Sequence, residues 1–365
     1  MIKIYLIRIM LFIFWIFPIN KKKVLFSSFD GRKISCNPKY IYEYLKENKY
    51  DLKYIWEYNG KKGKNYVSHN SLRFIFAVMT SKYIIINDGI SPVFPLRKRQ
   101  VVVNTWHGSG AYKRVGKFVD EKINGTSIKR QRLCNKQISF YLSGCQIFST
   151  VMAESLEYPI EKFIPTGMPR NSILFKQNDV CAIKNKYGFD KDVKICLYAP
   201  TFRGETSFSG EEDFSKIDFN SILKSLEKRF GGNWVIALRC HYSRNTTCCK
   251  QFIDLTSVED MQELLIISDV LISDYSSCIW DYSFTYKPCF LFCYDLSRYK
   301  DERNFYIPIH EWGFPVSTNL DELKLSIENF DADDYVTKMN NHHTKLGSYE
   351  SEFATKKAVD YIFKQ

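Results

Sequence analysis

The sequence lacks the signatures that assign an α/β protein at a glance. It has no Gly-x-x-x-x-Gly-Lys-Ser/Thr loop, which excludes a P-loop NTPase. No Gly-x-Gly-x-x-Gly follows its first predicted strand and no Gly-x-Ser-x-Gly occurs, which argues against a simple dehydrogenase and an α/β-hydrolase. Eleven cysteines are present, but none stand as Cys-x-x-Cys, and most sit among apolar neighbours. A structural zinc site and a disulfide scaffold are therefore both poor readings; burial as small apolar side chains in a reducing compartment is the better one. Acidic residues are short: 40 Asp and Glu against 52 Lys and Arg give a formal charge of +12, which suits an anionic partner. Long hydrophobic runs are missing as well. The uninterrupted apolar part of the N-terminus, Ile9–Phe17, is too short for a bilayer span of about 20 residues.

That N-terminus, MIKIYLIRIMLFIFWIFPIN, has Lys3 and Arg8 on one side and Lys21, Lys22 and Lys23 on the other, with no small-residue cleavage site. The expectation is a helix over residues 1–23 lying in the interface of the inner leaflet, its lysines on anionic headgroups.

From Val24 onward short apolar strands alternate with helices, the pattern of parallel α/β sheets. Strands are expected at Val24–Phe29, Leu52–Glu57, Tyr83–Asn87, Val101–Thr105 and Ile147–Thr150, and again at Lys194–Ala199, Trp234–Leu238, Val270–Ser273 and Cys289–Tyr294. A turn-rich segment, 164–171, reads as a hinge. The expected division is a membrane-associating segment 1–23 and two Rossmann-like domains, 24–175 and 176–365, with the terminal helices packing back on the first domain.

Ligands of parallel sheets sit at the carboxyl ends of strands, and the chemistry-bearing residues cluster there. Val101–Thr105 runs into Trp106-His107-Gly108-Ser109-Gly110, with Lys113 and Arg114 just beyond. A histidine titrating near neutrality suits general-base work, and the two glycines let a ligand approach the backbone. Lys194–Ala199 is followed by Thr201 and Arg203, the latter a planar fork for phosphate oxygens. Arg239-Cys240-His241-Tyr242-Ser243-Arg244 places a histidine between arginines, an arrangement that makes most sense around an anion. Ser268–Phe305 reads as strand, serine turn, helix, strand. Asp274 closes the strand, and Ser276 and Ser277 bring two hydroxyls to the helix start, where a phosphate is favoured. Asp281 is either a helix-surface charge or a hydrogen-bond partner of a ligand hydroxyl. No Asp-x-Asp occurs within 268–305 and no ligand spacing marks a metal site, so no metal or cofactor is expected. His342 and His343 fall in a polar region and read as solvent-exposed; His69 and His310 carry no context. The set suits phosphoryl transfer by positioning and charge neutralisation, with histidines handling the proton.

WHGSGAYKRVG, TGMPRN, YAPTFRG, RCHY and SDVLISDYSSCIWDYSFTYKPCFLFCYDL, in this order, resemble the CDP-glycerol glycerophosphotransferases of bacterial teichoic acid and capsule synthesis; VLFSSFDGRKISCNPKYIYEYL is similar to them too. The resemblance implies a GT-B fold, two Rossmann-like domains facing across a cleft, 24–175 binding the acceptor and 176–365 the CDP-polyol, and a peripheral enzyme on the cytoplasmic face of the membrane. It implies transfer of glycerol phosphate from CDP-glycerol to a hydroxyl of a lipid-linked or polymeric acceptor, with CMP released and no nucleic acid involved. By motif position, His107 would take the acceptor proton and His241 would stabilise the phosphoryl or leaving group. Arg170, Thr201, Arg203, Ser276, Ser277 and Asp281 would hold the CDP moiety. Two positions depart from the family pattern. Gly108-Ser109-Gly110-Ala111-Tyr112-Lys113 replaces the usual Gly-Thr-Pro-Leu-Lys, and Tyr242 replaces a proline. Both bear on the acceptor and on the donated polyol. Phosphoribitol transfer from CDP-ribitol and sugar transfer by a GT-B glycosyltransferase are the alternatives.

Overall fold

The computed structural model describes residues 2–119, 127–201, 217–240 and 252–364. The chain divides into two compact units. Unit 1 comprises 1–109, 115–172 and 348–365, and unit 2 comprises 110–114 and 173–347. The chain thus leaves unit 1 within the WHGSG motif, contributes five residues to unit 2 and returns.

Unit 1 opens with helix α1 (Ile2–Leu11) and a 3₁₀ turn, Phe12–Ile16. Strands β1 (Asn20–Ser27), β2 (Lys53–Glu57), β3 (Tyr66–Val67), β4 (Ser81–Ile86), β5 (Val101–Asn104), β6 (Phe140–Leu142) and β7 (Phe163–Ile164) form one parallel sheet in the order β3-β2-β1-β4-β5-β6-β7. Helices α2 (Cys36–Glu47), α3 (Leu72–Thr80), α4 (Ile128–Asn135) and α5 (Gln146–Leu156) connect the strands. The reversal of strand order beside β1 puts β1 and β4 at the switch point where open α/β sheets bind ligands. Val24, Phe26, Ile41, Leu45, Ile85 and Val103 are fully buried, and the C-terminal helix Ala354–Phe363 adds Ala358, Val359 and Ile362 to the same core.

Unit 2 begins with α6 (Val180–Lys186) and carries β8 (Lys194–Tyr198), α7 (Phe219–Phe230), β9 (Trp234–Leu238), β10 (Ile253–Asp254), α8 (Met261–Ile267), β11 (Val270–Ser273), α9 (Cys278–Ser283), β12 (Cys289–Phe292) and β13 (Val316–Ser317). Its parallel sheet runs β10-β9-β8-β11-β12-β13. Every residue of β11 and β12 is buried, as expected for strands covered on both faces.

Four expectations need correction. Ile147–Thr150 is not a strand but lies inside α5. The Cys145 thiol accepts from Phe148 N–H and caps that helix, and Ser149 Oγ turns inward to Ser143 Oγ at 2.7 Å. The strand at that place is the earlier β6. Lys21, Lys22 and Lys23 do not merely flank an anchor; they are part of β1. Lys22 pairs with Asp51, while Lys23 donates to Thr80 Oγ1 at 2.7 Å and lies over the Phe76 ring. His342 and His343 are not exposed. They sit on the buried stripe Tyr335, Met339, His342, Leu346 of helix Ala332–Leu346, and burial pushes them down to about 3 and about 4. Asp281 is not a surface charge: it is buried, and its Oδ2 accepts from Gln262 Nε2 at 3.0 Å.

Among the described residues no helix is long and apolar enough to cross a membrane. Helix α1 is tied down along one side. Arg8 Nη1 donates to the carbonyls of Pro92 and Phe94 (2.8 and 2.9 Å), and Trp15 Nε1 donates to that of Pro95 (2.7 Å). The other side of α1 and of the 3₁₀ turn after it leaves Ile2, Leu6, Ile9, Met10, Ile13 and Ile16 exposed.

Candidate active site

The carboxyl edge of the unit 1 sheet gathers Asp30 after β1, Glu57 at the end of β2, His69 after β3, Asp88 after β4 and His107 after β5. All five border one cavity of about 800 Å³. His107 is partly exposed. Its Nδ1 lies 3.0 Å from the Asn87 carbonyl and 3.5 Å from Asp88 Oδ1. A carbonyl accepts only, so Nδ1 carries the proton and Nε2 is left as the basic nitrogen. Burial raises the Asp88 carboxyl above its usual range, with the nearby imidazole opposing the shift. The ring is oriented by stacking on Trp106 (centroids 5.2 Å apart, planes 12° apart) and by Phe29 at 6.0 Å.

The turn that aims His107 is strained. Trp106 adopts φ +53°, a conformation that bulky L-residues rarely enter. Three hydrogen bonds hold it there. Trp106 N–H donates to Asn104 Oδ1 at 2.8 Å, and the buried Asn37 amide donates to the carbonyls of Thr105 and Trp106 at 3.1 and 3.0 Å. The Asn37 oxygen in turn accepts from the backbone N–H of Arg170 at 3.1 Å. One asparagine therefore joins the WHG turn to the M-P-R turn. The sequence reading missed it, because Asn37-Pro38 looks like an ordinary helix start. It also missed His69, whose Nδ1 pairs with the buried carboxylate of Glu57.

The remaining predicted residues divide between the units. Gly108 and Ser109 are buried in unit 1; the Ser109 hydroxyl packs on Gly144, where an added Cβ would come within 1.8 Å of it. Arg170 is buried there too, with Nη1 3.1 Å from Cys36 Sγ. Lys113 belongs to unit 2 through an antiparallel bridge to Phe305, beside the Tyr306 N–H to Tyr112 carbonyl bond of 3.0 Å. In unit 2 the carboxyl ends of β8 and β11 adjoin. Thr201 follows the first, and Asp274, Ser276 and Ser277 follow the second. Asp274 accepts from Thr201 N–H at 2.8 Å and from its hydroxyl. Ser276 and Ser277 are half-exposed. Tyr275 stacks on Tyr299 at 3.8 Å and donates to Asp295 Oδ1 at 2.9 Å, which fixes the serine turn from below. Arg203, His241 and Arg244 lie outside the described residues.

The family model for CDP-glycerol:poly(glycerophosphate) glycerophosphotransferases matches residues 9–364. The chain belongs to that family. Among its curated relatives is a teichoic acid poly(glycerol phosphate) polymerase of Bacillus spizizenii, 34% identical over 79% of this chain and 78% of the relative. Another is a teichoic acid glycerol-phosphate transferase of Staphylococcus aureus, 30% identical over 94% of each chain. Against the Bacillus subtilis teichoic acid poly(glycerol phosphate) polymerase, the chain spans about half the relative's length (49%). Relatives named for ribitol phosphate match as well, one from Bacillus spizizenii at 30% identity. The solved wall teichoic acid polymerase TagF, in a histidine variant soaked with CDPG, superposes with a TM-score of 0.81 at 27% identity, over 95% of this chain and 89% of that one. The expected architecture, two Rossmann-like parallel sheets of the GT-B class, stands.

Proposed function

We propose that this chain transfers glycerol phosphate from CDP-glycerol to a hydroxyl of a teichoic-acid-type or capsular acceptor and releases CMP. The observation that carries the reading is the state of His107 in a chain matched by the family almost end to end. Its Nδ1 side is engaged by Asn87 and Asp88, and its Nε2 is left to take a proton. The acceptor oxygen forms a bond to the phosphorus bearing glycerol, the anhydride bond to CMP breaks, the hydroxyl proton passes to His107 Nε2, and CMP leaves with the electron pair.

On the donor side, Thr201, Ser276 and Ser277 are the hydroxyls offered to the CDP moiety, and Asp274 sets the position of Thr201. Arg170 and Arg203 are the cations assigned to the CDP moiety by motif, Arg244 is a further one flanking His241, and His241 is the stabiliser of the leaving group. Gly108, Ser109 and Lys113 line the same motif. In this reading buried Asp281 supports the helix behind the serine turn rather than touching ligand.

The enzyme works as a peripheral protein on the cytoplasmic face of the membrane, on a lipid-linked or polymeric acceptor. The support is the bare apolar side of α1, a surface suited to the headgroup boundary of an anionic bilayer.

Purified protein incubated with CDP-glycerol or CDP-ribitol and membrane acceptors, with CMP followed, tests the reading. CMP release with CDP-glycerol that disappears in His107→Ala supports it. Release with CDP-ribitol alone moves the donor assignment to ribitol, as the ribitol-named relatives would suggest. Transfer from a nucleotide sugar instead would overturn it.

A further inference from the structure

We propose that the cavity beneath α1 is a subsite for an amphiphilic acceptor, its apolar end taking a hydrocarbon chain and the Glu57–His69 pair holding a hydroxylated headgroup toward His107. The proposal rests on the reading of His107 as the base.

The cavity of about 800 Å³ has two kinds of wall. Ile7 and Leu11 of α1, Ile75 of α3 and Val93 of the loop that α1 is tied to give it an apolar lining. Asp30, Glu57, His69, Asp88 and His107, from the carboxyl edge of the sheet, give it a polar one. Its size and its mix of apolar wall with a few convergent polar groups are those of a ligand site. The polar lining holds three carboxylates, Asp30, Glu57 and Asp88, against one arginine, Arg130, and the carboxylates paired with His69 and His107 favour a neutral hydroxyl beside those rings. His69 Nδ1 is taken up by Glu57, so its Nε2 is the nitrogen left to meet a ligand hydroxyl. The apolar lining includes Ile7 and Leu11 of a helix that exposes Ile2, Leu6, Ile9 and Met10 on its opposite side. A hydrocarbon chain leaving a bilayer at that face has only one helix thickness, about 10 Å, to pass.

Calorimetric titration of the full chain with 1-O-alkylglycerols of two to eight carbons, below micelle formation and without detergent, tests this. The expected result is a Kd that falls roughly three- to fourfold per added methylene until the apolar end is full. Ile75→Trp and Val93→Trp, from two different walls, should each remove that dependence. His69→Gln should weaken all chain lengths by a similar factor. Ile9→Ser with Ile13→Ser, on the exposed face, should leave soluble alkylglycerol binding unchanged and weaken only binding to anionic vesicles. No dependence on chain length, or a dependence that survives both tryptophans in folded protein, overturns the proposal. So does a dependence lost with the exposed-face pair. CMP release separates the two readings. Turnover without chain-length dependence sinks the subsite and leaves the transferase; the binding pattern without turnover from any CDP-polyol keeps an amphiphile site and sinks the transferase.

Discussion

Thr201 gives both its donors to one residue: its backbone N–H lies 2.8 and 3.0 Å from the two carboxylate oxygens of Asp274, and its hydroxyl bonds the same group. The carboxyl ends of β8 and β11 are thereby tied by side chain as well as by the ladder that pairs Tyr198 with Ile272. Tyr275 N–H also donates to Asp274, at 2.6 Å. Asp274→Ala leaves these donors without their charged acceptor, and unit 2 should lose about 2–3 kcal/mol of stability. CDP-glycerol should bind on the order of tenfold more weakly, because Thr201 and the serine turn lose their common support. Denaturant unfolding and calorimetry with CDP-glycerol check the two parts.

His107→Ala should lower kcat by roughly 10²–10⁴-fold while CDP-glycerol binding is retained, since the donor is assigned to other residues. Asp88→Asn should act more mildly, about 10- to 100-fold, from the ~1.5–3 kcal/mol of a charge-assisted hydrogen bond to the imidazolium formed in transfer. The loss should fall on kcat rather than on the KM for CDP-glycerol. An unchanged kcat would show that Asp88 plays no part in setting the base.

Asn37 is fully buried and donates to two consecutive carbonyls of the strained turn. Asn37→Ala orphans those carbonyls and should destabilise unit 1 by about 2–4 kcal/mol. Asn37→Asp keeps the volume and the Arg170 contact but removes the donors. It should reduce kcat with little change in the affinity for CDP-glycerol, which a steady-state KM-against-kcat comparison reads directly.

His342 and His343 carry an acid sensitivity. His342 Nε2 is 2.9 Å from the Tyr112 hydroxyl, and His343 Nε2 is 2.7 Å from Ser283 Oγ. Both are held below the usual histidine value, chiefly by burial, to about 3 and about 4. The unfolded chain therefore binds more protons than the folded one between the ordinary histidine value of about 6.5 and that range. Stability should be full above pH 6.5 and fall as the pH drops toward 4, with a slope that His343→Gln reduces. Thermal melts at half-unit intervals of pH measure it.

Motif order placed His107, Thr201, Asp274, Ser276 and Ser277 at strand ends, and the alternation of apolar runs with helical segments gave the two parallel sheets. Both signals are local: a strand, the turn after it and the polar residue at its tip are contiguous in sequence. Periodicity failed where a short apolar run was decided by its neighbours. Ile147–Thr150 became helix because Cys145 caps it, and His342 and His343 went inside because Tyr335, Met339 and Leu346 set the face of their helix.

What the sequence determined by itself was the set of groups assigned to a phosphoryl transfer and the strand tips that carry them. Tertiary structure alone decided their state. It put Asn87 and Asp88 against one nitrogen of His107, made Asn37 the clamp of the turn, brought His69 beside Glu57 and buried Asp281. Each of these joins residues from different strand ends or helices. Such pairs leave no spacing in the chain, because sheet order and packing, not distance along the sequence, make them neighbours.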